Sequence, residues 1–119
     1  MQLAGCGIST AALAFGGDAS PQAVTELWNG SSWSSVNVLN TARQRLGGAG
    51  TSTSALAMGG QPITGVTESW NGTNWTNITQ FNTTRRDMGA AGVSNSSALI
   101  FGGSVPPNTG ATEDWNGSS

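Results

Sequence analysis

The stretch LGGAGTSTSALAMGG, from Leu46 to Gly60, decides the fold because the chain carries it in three versions. LAGCGISTAALAFGG runs from Leu3 to Gly17, and MGAAGVSNSSALIFGG from Met88 to Gly103. The closing pairs Gly16-Gly17, Gly59-Gly60 and Gly102-Gly103 are spaced 43 residues apart each time. A fixed period of this size marks a repeat architecture, each copy being one supersecondary unit stacked on its neighbours. After each pair comes a variable segment, then VTELWNGSSW, VTESWNGTNW or ATEDWNGSS. Two units continue through VNVLNTARQR and ITQFNTTRRD into the next glycine-rich passage.

Within a unit the pattern is that of strands. Leu46 to Gly50 is small and apolar, Thr51 to Ser54 is a polar turn, and Ala55 to Met58 is an apolar run ended by glycine. Short apolar runs bounded by glycine and polar clusters read as buried strands. Val66 to Trp70 alternates as a strand should, and Trp75 opens a fourth strand reaching about Gln80. Asn71-Gly72 between them is a hairpin signal, for which a two-residue type I′ turn with positive φ at both positions is expected. No stretch sustains a 3.6-residue period, and Thr, Ser, Asn and Gly are poor helix formers. Each unit is therefore expected to be a four-stranded antiparallel meander, and the chain all-β.

A basic residue, a small Gly/Ala strand, an apolar strand ending in Gly-Gly, an aromatic strand and Trp five residues on resemble the kelch repeat. The likeness covers essentially the whole chain. Trp28, Trp70 and Trp115 stand where kelch repeats usually have Tyr. The WNGxxW variant also resembles repeats of phage and environmental bacterial surface proteins. The resemblance implies β-propeller blades, with the Leu-Gly-Gly-Ala-Gly strand innermost and the strand after Trp75 outermost. On that placement residues 3–39, 46–81 and 88–119 are three blades, the last lacking its outermost strand, about 2.8 blades in all. A ring takes roughly four to eight, so one chain does not close it. Two chains closing a six-bladed ring are the expectation, ahead of a nine-bladed trimer; the alternative is a piece of a longer propeller.

Composition excludes much else. Only 8% of the 119 residues are charged, with four Arg, six acids and no Lys, His or Tyr. A net charge of −2 with four cations argues against nucleic acid, whose affinity rests on neutralised phosphates. Absent His removes the Ser-His-Asp and Cys-His pairs and the HExxH zinc site, and absent Lys the Schiff base. The copper-radical oxidases among kelch propellers need Tyr and His that this chain lacks. No enzyme, cofactor or metal site is expected. Cys6 is alone, so it forms no internal disulfide and reads as an inert small residue. The longest apolar runs fall far short of a membrane span of roughly 20 residues. No basic start of a signal peptide is visible; a virion or extracellular surface is the suspected location.

Residues repeated in every unit are expected to be structural. These are Trp28, Trp70 and Trp115, Trp33 and Trp75, Glu26, Glu68 and Glu113, and Arg43 and Arg85. The tryptophans suit packing between units, and the Arg and Glu residues a repeated ion pair, since the planar guanidinium suits buried pairing. Acids repeated once per unit do not converge as the paired carboxylates of a glycosidase must. Ligand contacts are sought where the units differ. Two residues after the repeated Arg, the aligned positions hold Gln2, Arg45 and Asp87. In ligand-binding kelch propellers that position faces the top opening, so the resemblance implies the same here. The loops after each glycine pair add Asp18, Gln61 and Ser104 and carry Pro21, Pro62, Pro106 and Pro107. Loops on a rigid scaffold are where binding usually lives, and a glycan or a protein is the expected ligand. Several Asn-x-Ser/Thr triplets follow from a composition rich in these residues, and Asn29, Asn71 and Asn116 already have turn roles.

Overall fold

The computed structural model describes residues 3–17, 23–61, 64–105 and 108–117. Gln2, Asp18, Pro21, Pro62, Pro106 and Pro107 lie outside them. Among the described residues there are eleven strands and no helix. The first sheet contains β1 (Ala4–Ile8), β2 (Ala11–Phe15), β3 (Thr25–Trp28) and β4 (Trp33–Val36). The second contains β5 (Gly47–Thr51), β6 (Ser54–Met58), β7 (Thr67–Trp70) and β8 (Trp75–Ile78). The third contains β9 (Gly89–Ser94), β10 (Ser97–Phe101) and β11 (Thr112–Trp115). Every neighbouring pair is antiparallel, so each sheet is a meander in chain order.

The sheets stack face to face, with β1 against β5 and β5 against β9. Glycine and alanine make that approach possible: a Cβ at Gly48 would stand 2.7 Å from Phe15 Cζ and 3.2 Å from Ala4 Cβ. Two apolar layers result. Leu13 and Phe15 of the first sheet meet Ala55, Ala57, Trp70 and Trp75 of the second. Leu56 and Met58 of the second meet Met88, Ala98 and Ile100 of the third. β6 thus sends Leu56 and Met58 to the third sheet and Ala55 and Ala57 to the first, and β10 turns Ala98 and Ile100 to the second, which is the period of two read at sheet spacing.

The hairpin after each aromatic strand differs from the type I′ expectation. Trp28 pairs with Trp33 and Trp70 with Trp75, leaving four-residue loops. Gly30 and Gly72 both have φ of 98°, but Asn29 and Asn71 do not adopt positive φ. Instead the Asn71 Oδ1 accepts from Thr73 N and Asn74 N, both at 2.9 Å. Asn29 does the same with Ser31 N and Ser32 N, at 2.9 and 3.0 Å. The asparagine acts through its side chain, as an Asx turn.

Candidate functional site

The repeated charges tie each linker to the sheet that follows. Arg43 is buried, and its guanidinium donates to Gly59 O at 2.7 Å, Val66 O at 3.0 Å and Glu68 Oε2 at 2.9 Å. Glu68 also accepts from the linker amides Asn40 N (2.6 Å) and Thr41 N (3.3 Å). Arg85 repeats the knot with Gly102 O, Ala111 O and Glu113 Oε2, the last at 2.7 Å. Glu113 takes Asn82 N and Thr83 N. Burial pushes the Arg43 guanidinium below its ordinary value while Glu68 opposes the shift. Glu26, the third member of the set, is exposed and has no ion pair among the described residues. Arg43, Glu68, Arg85 and Glu113 are thus consumed by the scaffold, and Glu26 is not.

The tryptophans divide by position. Trp28, Trp70 and Trp115 each donate the indole N–H to the carbonyl of the tight turn joining the first two strands of their sheet, at Ser9, Ser52 and Asn95. The distances are 2.9, 3.0 and 2.9 Å. Trp75 crosses to the first sheet, where its N–H donates to Thr25 Oγ1 at 3.0 Å. Trp33, its counterpart, is half-exposed and rests on Trp28, with ring centroids 5.5 Å apart. Cys6 is half-buried with its thiol toward Thr51 O, and burial pushes its pKa up to about 11.

Four of the six candidate ligand positions fall in the described residues, and three come together around one cation. Arg45 and Asp87 face each other, with Arg45 Nη1 3.4 Å from Asp87 Oδ2. Both hold φ in the left-handed region, at 58° and 55°. Such residues cost of order 1–3 kcal/mol of strain and persist only when the surroundings impose them. Here Asp87 N donates to Arg45 O at 3.0 Å, fixing the two linkers side by side. Arg86 supplies what joins the rest. Its Nη1 donates to Gln61 Oε1, its Nε lies 3.8 Å from Asp87 Oδ2, and its backbone exchanges two hydrogen bonds with Ser104. A cavity of about 330 Å³ opens beside it, lined by Asp87, Gly103, Ser104, Asn108 and Thr109.

The result is a polar line, Arg45–Asp87–Arg86–Gln61/Ser104, across the linkers at one end of the sheets. The sequence singles out Arg45, Asp87, Gln61 and Ser104 as ligand positions and leaves Arg86, which joins them, only among the charges outside the repeated set. Arg86 follows the repeated Arg85 directly, where the first linker has Gln44. That difference between copies was the available signal. Gln44 pairs with Gln61 backbone to backbone, as Arg86 does with Ser104. Chemically the line offers guanidinium donors, a carboxylate and amide and hydroxyl groups, the set that hydrogen-bonds polyhydroxylated or polar ligands. Among the described residues no three His, Cys, Asp or Glu side chains converge as metal ligands, and no helix is long and apolar enough to cross a membrane. No family model and no curated protein sequence matches the chain.

Proposed function

We propose that the chain is a kelch-like β-propeller component that completes its ring by self-association, two copies contributing six sheets, and that it is a binding module rather than an enzyme. One observation supports this above the others: the two outer sheets leave open the faces that the inner junctions bury. Leu13 and Phe15 are 2% and 1% exposed, yet their counterparts on the third sheet, Leu99 and Phe101, are 42% and 44% exposed. At the opposite end Trp33 is 50% exposed where Trp75 is 5% exposed.

The two faces fit the same junction. Leu46 reaches the Gly16 backbone and Met88 the Gly59 backbone, each within 2.6 Å of where a Cβ would stand. Gly102 has only Thr109 O near that position, at 3.8 Å, while Leu3 at the other end is exposed. Leu3 of one copy on Gly102 of the next, with Trp33 over Phe101 and Thr112, repeats the inner junction between molecules. A head-to-tail contact of this kind gives a closed ring when its rotation closes. The competing reading is that further units of a longer chain cover both faces.

The ligand surface in this reading is the polar line through Arg45, Asp87, Arg86, Gln61 and Ser104, open to a glycan or a protein. Phe101→Asp places a charge in the junction and is expected to leave a folded monomer; an unchanged mass rejects the junction. Arg45→Ala is expected to abolish binding found on a glycan array or in a pull-down while leaving the mass and unfolding curve unchanged. Binding that survives it places the ligand elsewhere. A purely structural surface ring is the outcome if no ligand is found.

A further inference from the structure

The charges of the chain are unevenly placed. Among the described residues, Arg43 with Glu68 and Arg85 with Glu113 form ion pairs that bury both guanidiniums, and each pair cancels. Glu26 and Asp114 stand on the third strands of their sheets, β3 and β11. The other described charges gather on the linkers, where Arg45 and Arg86 face a single acid, Asp87. Two cations thus meet one anion in a chain whose net charge is −2. Asp87 serves neither cation closely. Its Oδ2 lies 3.4 Å from Arg45 Nη1 and 3.8 Å from Arg86 Nε, and that Nε is buried with no hydrogen-bond partner among the described residues. The side chains of Arg45, Arg86 and Asp87 remain 34%, 26% and 47% exposed, so all three are within reach of a ligand. Gln61 Oε1 accepts from Arg86 Nη1 and draws that guanidinium back towards the second sheet, while Arg45 reaches forward to Asp87. The cations therefore converge at the junction of the second and third sheets, which is flanked by a sheet on either side.

We propose that these two guanidiniums bind the carboxylate of an acidic saccharide, a uronate, and that Asp87 is the resident counter-charge which the ligand displaces. The proposal rests on the reading of the polar line as the ligand surface and names the class of ligand it takes. A guanidinium presents its donors in a planar fork that matches a carboxylate. Two forks directed at one position offer more than the long contacts of Asp87 use. The Asp87 side chain can turn to solvent while its backbone stays tethered, because Asp87 N donates to Arg45 O. The Gln61 amide is at hand for a ring hydroxyl. A protein partner needs roughly 800 Å² a side around a desolvated centre, and Arg45, Asp87, Arg86 and Gln61 include no apolar or aromatic anchor. A sugar acid needs only a few polar groups.

The test is calorimetric titration of the 119-residue chain with tetragalacturonate, its methyl ester and tetraglutamate. Tetragalacturonate is expected to bind, more weakly as salt is raised, and the ester at least about tenfold more weakly, having lost the charge-assisted hydrogen bonds. Arg86→Gln is expected to cause a similar loss. Asp87→Asn decides the class by its sign. It removes the competing charge and is expected to tighten binding about fivefold, the upper end for a half-exposed ion pair, whereas a line that reads neutral hydroxyls loses an acceptor and binds more weakly. Asparagine is among the residues that tolerate the left-handed φ of Asp87, and the ester comparison needs no variant at all. Equal binding of the ester, weakening by Asp87→Asn, or absence of tetragalacturonate binding overturns the proposal. The reading of the line as the ligand surface survives these if another ligand is still lost in Arg45→Ala. Tetraglutamate binding as tightly as tetragalacturonate overturns the saccharide class in favour of an acidic peptide. Tetragalacturonate binding unchanged by both Arg45→Ala and Arg86→Gln overturns the proposal and the reading together. The site lies within one chain, so the titration does not depend on ring closure.

Discussion

The sharpest contrast at the residue scale is between Glu68 and Glu26, equivalent in the repeat and opposite in environment. Glu68→Gln leaves the Arg43 guanidinium buried without its counter-charge, and breaking such a pair costs about 3–5 kcal/mol. Glu26→Gln is expected to change stability by less than about 0.5 kcal/mol, as for an exposed surface substitution. Urea unfolding of both variants checks this, and equal effects contradict the assignment of Glu68 to the scaffold. Cys6 carries a pH signature. Its folded thiol holds the proton up to about pH 11, whereas an unfolded thiol releases it near 8.5. The folded state thus binds that proton more tightly, so its contribution is intact below about pH 8.5 and is lost as pH rises towards 11. Loss of stability across that window in the native chain, absent in Cys6→Ala, is the expected result. Alkylation of Cys6 at neutral pH is expected to be slow, since the thiolate is the nucleophile.

Elements were legible where glycine and aromatic spacing fixed them. The expected strands at Leu46 to Gly50, Ala55 to Met58 and Val66 to Trp70 coincide within a residue or so with β5, β6 and β7, because two-residue periodicity and glycine punctuation are local properties. The turn type after Trp70 was not legible. Asn-Gly satisfies either a type I′ turn or a capped four-residue loop, and the pairing of Trp70 with Trp75 decides between them. The positive φ of Arg45 and Asp87 was equally hidden, since it follows from how neighbouring linkers hydrogen-bond rather than from the residue itself. Position within the stack also separates side chains that the repeat makes equal. Trp75→Ala opens a cavity between two sheets and is expected to cost about 3–5 kcal/mol. Trp33→Ala is expected to cost the isolated chain less than about 1 kcal/mol. Thermal unfolding distinguishes them, and similar losses contradict the unequal burial of the two rings.

For the whole molecule, three stacked meanders end in two unlike faces, one with Leu99 and Phe101, the other with Leu3 and Trp33. Exposed apolar side chains on such faces mark interaction surfaces or aggregation hazards when they form a patch. The low charge content deepens the choice, because Ser, Thr and Asn supply solubility but little long-range repulsion between copies. Phe101→Asp and Trp33→Ala are expected to fail in association for opposite reasons of position, each removing one half of the proposed contact. Mixing the two variants is informative, since each retains the half that the other lacks. If the proposed ring forms, a one-to-one mixture is expected to give an open pair with a single intact junction, weaker than the ring of the unsubstituted chain. The direct measurement is sedimentation equilibrium of the native 119-residue chain. Closure by two copies gives twice the 12.0 kDa of the single chain, independent of concentration once the ring has closed. A stable monomer at 12.0 kDa over the whole concentration range contradicts it.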